Sequence, residues 1–129
     1  FLHDLKNSNK IFDRVFKLSG RWYLNQNFDG QYHAGAVDSL VLKGPYYWRN
    51  EETYSTRLWS FDYSLLNKMI GLFNMIYDYT FLGIYTKGLI ATLERTLYVY
   101  TKTFNLNVKN IDTLGVEGFF GQNAVFFVE

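Results

Sequence analysis

A chain of 129 residues has the length of one domain, and 48% hydrophobic against 19% charged residues is the balance of a folded core rather than of disorder. The formal charge of +1, with Lys and Arg scattered, excludes a basic nucleic-acid-binding face, and the lack of cysteine excludes disulfides, a thiolate nucleophile and thiolate-bound zinc. Aromatic residues, at 20%, exceed what a small core holds, so some rings are expected to face a cavity or a partner.

From Ser8, the residues Ile11, Val15 and Leu18 recur at helical spacing, which predicts a helix or turn over 8–18, capped by Ser8 or Asn9 and ended by Ser19-Gly20. β-Prone runs follow: Arg21 to Phe28, Ala36 to Leu42, and Tyr46 to Arg49 with a turn at Asn50-Glu51-Glu52. In Thr53 to Tyr63, Trp59, Phe61 and Tyr63 alternate with Ser60 and Asp62, the pattern of a strand with one apolar face. Between Lys68 and Thr96, Tyr77, Tyr79 and Phe81 alternate with Asp78 and Thr80, and Leu89, Ala91 and Leu93 with Thr92 and Glu94. That period predicts two or three antiparallel strands. Leu97, Tyr100, Phe104, Val108 and Ile111 return to helical spacing and predict a helix over 97–114, ending near Gly115. A last strand is expected over 123–128. No stretch reaches the ~18 uncharged apolar residues of a membrane helix, so no transmembrane segment is expected. Phe1 in place of methionine reads as a processed or incomplete chain.

This order of elements resembles the lipocalins of the calycin superfamily, and three motifs carry the resemblance. Phe12-Asp13 followed by Gly20-Arg21-Trp22-Tyr23 is similar to the family's opening signature. Tyr77-Asp78-Tyr79-Thr80-Phe81-Leu82-Gly83 is similar to its late aromatic strand and glycine turn, and Leu93-Glu94-Arg95-Thr96 to its last-strand arginine and threonine. The spacing from Gly83 to Arg95 is similar to that of the bacterial and plant-type branch, which includes apolipoprotein D. The resemblance implies an all-β fold: an eight-stranded antiparallel barrel over about 20–96, with the two helices, in a single domain 1–129. It implies that Gly20 turns the chain into the first strand, that Trp22 plugs the closed end of the barrel, and that Arg95 lies across Trp22. Alternation separately points Arg95 inward, since Thr92 and Glu94 take the solvent side.

Chemistry is sparse. His3 and His33 have no neighbouring second ligand, so no metal is expected, and neither a Gly-x-Ser-x-Gly elbow nor a phosphate-cradling loop is present. Asp29, Asp38 and Asp78 are candidate acid–base carboxylates if they meet at a barrel mouth; the plainer reading makes them solvated turn or outer-face residues. The expectation is of a protein that is not an enzyme, needs no cofactor and binds or transports a small hydrophobic ligand (a lipid, fatty acid, sterol or carotenoid). Trp59, Phe61, Tyr63, Tyr77, Tyr79 and Phe81 are expected to line its cavity. The alternative is a non-catalytic accessory or structural subunit of an organellar membrane-protein assembly, docking through exposed rings. A lipid- or xanthophyll-modifying enzyme comes third. No nucleic-acid partner is expected, and the compartment is expected to be secreted, periplasmic or organellar (plastid or mitochondrial), with the protein membrane-associated in the alternative.

Overall fold

The computed structural model describes residues 1–48, 50–87, 92–120 and 125–129. Helix α1 (Leu2–Asn7) leads to β1 (Arg14–Leu18), β2 (Trp22–Leu24), the short α2 (Gly30–Ala34), β3 (Leu40–Leu42) and a hairpin of β4 (Tyr46–Trp48) and β5 (Glu51–Thr53). Strand β6 (Leu58–Asp62) runs through a 3-10 turn into α3 (Leu66–Lys87) and then α4 (Leu93–Thr103). Strands β7 (Val108–Asn110), β8 (Val116–Phe120) and β9 (Val125–Val128) complete the order. The architecture is mixed α/β. The all-β, eight-stranded barrel is overturned, because among the described residues the strands form three small separate sheets and none closes.

The largest sheet has the order β1-β6-β3-β7, antiparallel except for the β3–β7 pair. Phe61 stands opposite both Val15 and Leu40, so these residues share a face with Trp59 and Leu42, and that face packs on α3 and α4. The other face carries Ser60, Val41 and Leu58, and is covered by α2 and Phe28. Strand β6 is therefore buried from Leu58 to Phe61 without a break. That is the signature of a central strand covered on both sides, not of a barrel wall with one wet face.

The strands expected over 68–96 are instead α3 and the start of α4, and 88–91, with Leu89 and Ala91, lie outside the described residues. Leu66, Met69, Ile70, Phe73 and Ile76 recur three and four apart and form one stripe against the core. The period-two run from Tyr77 to Phe81 lies on the helix's outer part, where the three rings project into solvent and impose no period. The helix expected over 97–114 is displaced. It begins at Leu93, where the Thr92 hydroxyl caps it by accepting the Arg95 N–H (3.3 Å), and it ends before Asn105, which turns left-handed (φ 49°). Val108 then joins the sheet beside Leu40. The helix expected over 8–18 gives way to β1, because full pairing of Arg14 to Leu18 with β6 and burial of Val15 outweigh a helical spacing. The expected last strand corresponds to β9, with 123 and 124 outside the described residues.

A second core of Leu58, Leu114 and Val116, with Trp22, Phe28 and Ile111 against it, joins the β2-β8-β9 sheet to the first. Two glycines make this junction. Gly115 is left-handed (φ 66°), and a Cβ there would lie 2.3 Å from the Phe28 backbone. A Cβ on Gly118 would lie 2.2 Å from the Arg21 carbonyl oxygen.

Candidate functional site

The six rings expected to line one cavity do not come together. Trp59 and Phe61 fill the main core, with Trp59 stacked on Phe73 at 5.4 Å. Tyr63 is half-buried and donates to the Lys10 carbonyl. Tyr77, Tyr79 and Phe81 are exposed on α3. The closed end is also rearranged: Gly20 lies in a turn with nothing within 4 Å of a Cβ position, and Arg95 lies on α4, donating to the Glu52 carbonyl (3.3 Å) beside Glu51 (3.8 Å). Trp22 does carry an arginine, but it is Arg57, whose guanidinium sits 4.6 Å from the Trp22 ring and 5.1 Å from the Phe127 ring. The two rings meet edge to face at 6.5 Å and form an aromatic corner around that charge.

Asp29, Asp38 and Asp78 do not meet either. Asp29 caps α2 through the Tyr32 N–H, Asp38 accepts from the Ser64 hydroxyl, and Asp78 is exposed on α3. The arrangement nearest to catalytic machinery was not foreseen from the sequence. Arg14 Nε donates to Ser60 Oγ (2.7 Å), which also hydrogen-bonds His33 Nδ1 (2.7 Å). The other ring nitrogen, His33 Nε2, is buried without a hydrogen-bond partner among the described residues, among the rings of Phe16, Phe28 and Tyr32. Burial first, and the Arg14 charge second, push the His33 pKa down from 6.5 to about 4, against the opposing pull of Asp29. His33 and Ser60 are both fully covered, so the pair has no path to a substrate and serves to lock α2 onto the sheet. His3 is exposed, and no group of three His, Asp or Glu side chains converges among the described residues.

An open site exists elsewhere, between the β4–β5 hairpin, the start of α4 and β9. The hairpin turns at Asn50 (φ 65°), and its far side is tied to α4, where the Tyr98 hydroxyl donates to the Glu52 carboxylate and the Lys102 amine donates to Tyr98. Tyr54, buried against Tyr98 at 5.5 Å, anchors its base. These ties leave the other side of the hairpin facing a cleft of about 540 Å³, with Tyr46 and Trp48 on one wall and Phe127 and Val128 on the other. Its floor is ionic. Glu129, with only 7% of its side chain exposed, pairs with Arg57 and with Lys43 (3.2 Å). Glu94 enters from α4 and accepts the Thr56 hydroxyl (2.8 Å), while Lys17 donates to the carbonyl of the same Thr56 (2.7 Å). A second cavity of about 330 Å³ adjoins it through Tyr46, Arg57 and Glu94, and adds Arg21 and the hydroxyls of Ser19 and Ser55.

Of the residues of this cleft, the aromatic run Tyr46-Tyr47-Trp48 after Gly44-Pro45 was visible in sequence as a strand. Arg57, Lys43 and Glu129 carried no local signal, because partners from distant segments define them. No family model, no curated protein and no solved structure matches the chain. The class that fold and surface define is a small α/β protein with a buried, inaccessible polar pair, an open amphipathic cleft and an unusually aromatic exterior.

Proposed function

We propose that this protein is a non-catalytic accessory subunit whose aromatic surface docks on another polypeptide. One observation carries the reading: the chain exposes 8,386 Å², against about 7,100 Å² expected of a folded monomer of its 15.2 kDa mass. The excess of about 1,300 Å² is on the scale of one partner's share of a stable interface, roughly 800 Å² or more. Large apolar side chains are among the exposed residues. Beside Glu117 on the outer face of the β2-β8-β9 sheet, Tyr23, Phe119 and Phe126 are each about half exposed, and Phe119 and Phe126 stack edge to face at 5.5 Å.

A protein partner suits this face better than a lipid one. Strand β9 pairs only with β8 among the described residues, so its other edge presents backbone N–H and C=O groups that an added strand satisfies and a hydrocarbon layer does not. No helix among the described residues is long and apolar enough to cross a membrane. Hydrogen–deuterium exchange tests the reading on the chain in its native assembly and alone. The expected result is fast exchange over 125–128 in the isolated chain, strong protection in the assembly, and loss of assembly on Phe126→Ser with an unchanged circular dichroism spectrum. A wild-type chain that runs as a free monomer in native extract overturns it, as does protection confined to other surfaces.

A further inference from the structure

Resting on the docking proposed above, we infer that the partner polypeptide inserts an extended segment into the cleft between the hairpin and β9, where it pairs with the outward edge of β9 as an added strand. Three residues in a row, Phe127, Val128 and Glu129, border that cleft. Neighbours in a strand point to opposite faces, so a space that touches all three runs along the strand's edge rather than over one face. The hairpin contributes differently. Its lining residues are Tyr46, Trp48 and Thr53, which stands opposite Tyr46, so it presents one face and its two rings form a wall.

The outward edge carries a strand's own hydrogen-bonding pattern. Glu129 and Val116 exchange both backbone bonds, at 3.0 and 2.8 Å. By the alternation of an antiparallel ladder, Phe127 and Val125 also bond toward β8, while the N–H and C=O groups of Phe126 and Val128 point the other way. Among the described residues those outward groups have no partner. They recur every second residue, roughly 7 Å apart, which is the repeat that another strand matches. Charge in the cleft is balanced, Lys43 and Arg57 against Glu94 and Glu129, and Glu51, across from Trp48, lies 3.8 Å from Arg95. Recognition through the main chain needs no charge, so the cleft suits a segment without net charge that lays an apolar side chain against Tyr46 and Trp48. Phe126 joins this edge to the docking face: its ring stands beside Phe119 on the outer face, and its backbone lies on the edge.

Residue-resolved hydrogen exchange on the full chain, alone and in its native assembly, tests the pairing. In the isolated chain the Phe127 and Glu129 amides, bonded to β8, should exchange more slowly than those of Phe126 and Val128. The assembly should slow Phe126 and Val128 by about tenfold or more. Val128→Pro removes an outward N–H and no bond to β8, a place where an edge strand tolerates proline, and should weaken assembly by about tenfold or more. Trp48→Ala, at an exposed ring, should weaken it by about tenfold. Circular dichroism checks that both variants fold. A wild-type assembly in which the Phe126 and Val128 amides stay as fast as in the isolated chain overturns strand addition and leaves docking through the sheet face standing. Assembly of Trp48→Ala at wild-type strength overturns the cleft as the seat of the segment. An assembly built only from copies of this chain overturns a separate partner and assigns the edge to a second copy. A wild-type chain found as a free monomer removes the docking itself, and with it the inserted strand.

Discussion

Replacing Arg57 with methionine removes the charge from the aromatic corner while keeping much of the side-chain stem. The losses include the ion pair with Glu129 and the contacts over Trp22 and Phe127. Each cation–π contact at a partly desolvated site contributes about 0.5–2 kcal/mol. The larger cost falls on Glu129, whose carboxylate is nearly buried and, among the described residues, would retain only Lys43 at 3.2 Å. A charged hydrogen bond lost from such a group costs about 1.5–3 kcal/mol, discounted here because Arg57 is itself 24% exposed. The expected loss is about 2–4 kcal/mol, read as a lower urea midpoint at unchanged slope. Adding Glu129→Gln should return about 1–2 kcal/mol of it, because the stranded carboxylate is then neutral. An Arg57→Met curve that overlays the wild type would falsify the anchoring role, and strictly additive losses in the double variant would show that Arg57 and Glu129 are not coupled.

Further outcomes follow from other parts of the fold. Gly115→Ala and Gly118→Ala should each cost more than about 2 kcal/mol, since the added methyl meets backbone rather than a side chain that can yield; unfolding curves near wild type would show that the β2–β8 junction is looser than described. Trp59→Ala should cost about 3–5 kcal/mol and Tyr77→Ala less than about 1, a contrast between core and surface that a shared ligand cavity would not produce. His33 favours its neutral form on folding, so its contribution is fully present above pH 6.5 and is lost as pH falls toward its folded value of about 4. Between pH 7 and 4.5 that amounts to about 2 kcal/mol, and His33→Asn, which keeps an acceptor for Ser60 and does not titrate, should flatten the slope. A slope unchanged in that variant would place the acid sensitivity in other groups.

The parts of the fold legible in sequence are those whose determinants are local. Gly44-Pro45 and Asn50 bracket the hairpin, and the run Leu58 to Phe61 reads as a strand from its own residues. Helix α3 was not legible because its two halves obey different rules. The inner half carries the helical stripe from Leu66 to Ile76, while the outer half places Tyr77, Tyr79 and Phe81 in solvent, where their alternation with polar residues mimics a strand. Thr92 and Glu94 likewise supplied an alternation that belongs to a helix cap and its first turn.

The candidate site failed to show in sequence for a different reason, and the arginine beside Trp22 illustrates it. The lipocalin resemblance implies that Arg95 lies across Trp22, and alternation along one segment points Arg95 inward, but Arg95 lies on α4. Arg57 holds the position because β8 brings β2 and β9 side by side, which places Trp22 across Gly118 from Phe127 and sets Glu129, 72 residues from Arg57 in the chain, beneath them. Such a site is a product of strand order, and no window of sequence contains it. The aromatic surplus is ambiguous on the same ground. Ring count alone serves a filled cavity, a large core and a docking face equally well, and only the exposure of each ring separates them. Trp59 and Phe61 go to the core, Tyr46 and Trp48 to the cleft, and Tyr23, Phe119 and Phe126 to a sheet face whose neighbouring edge is unpaired among the described residues. The proposed docking rests on that exposure, because rings left half in water on one sheet face are what a partner would cover.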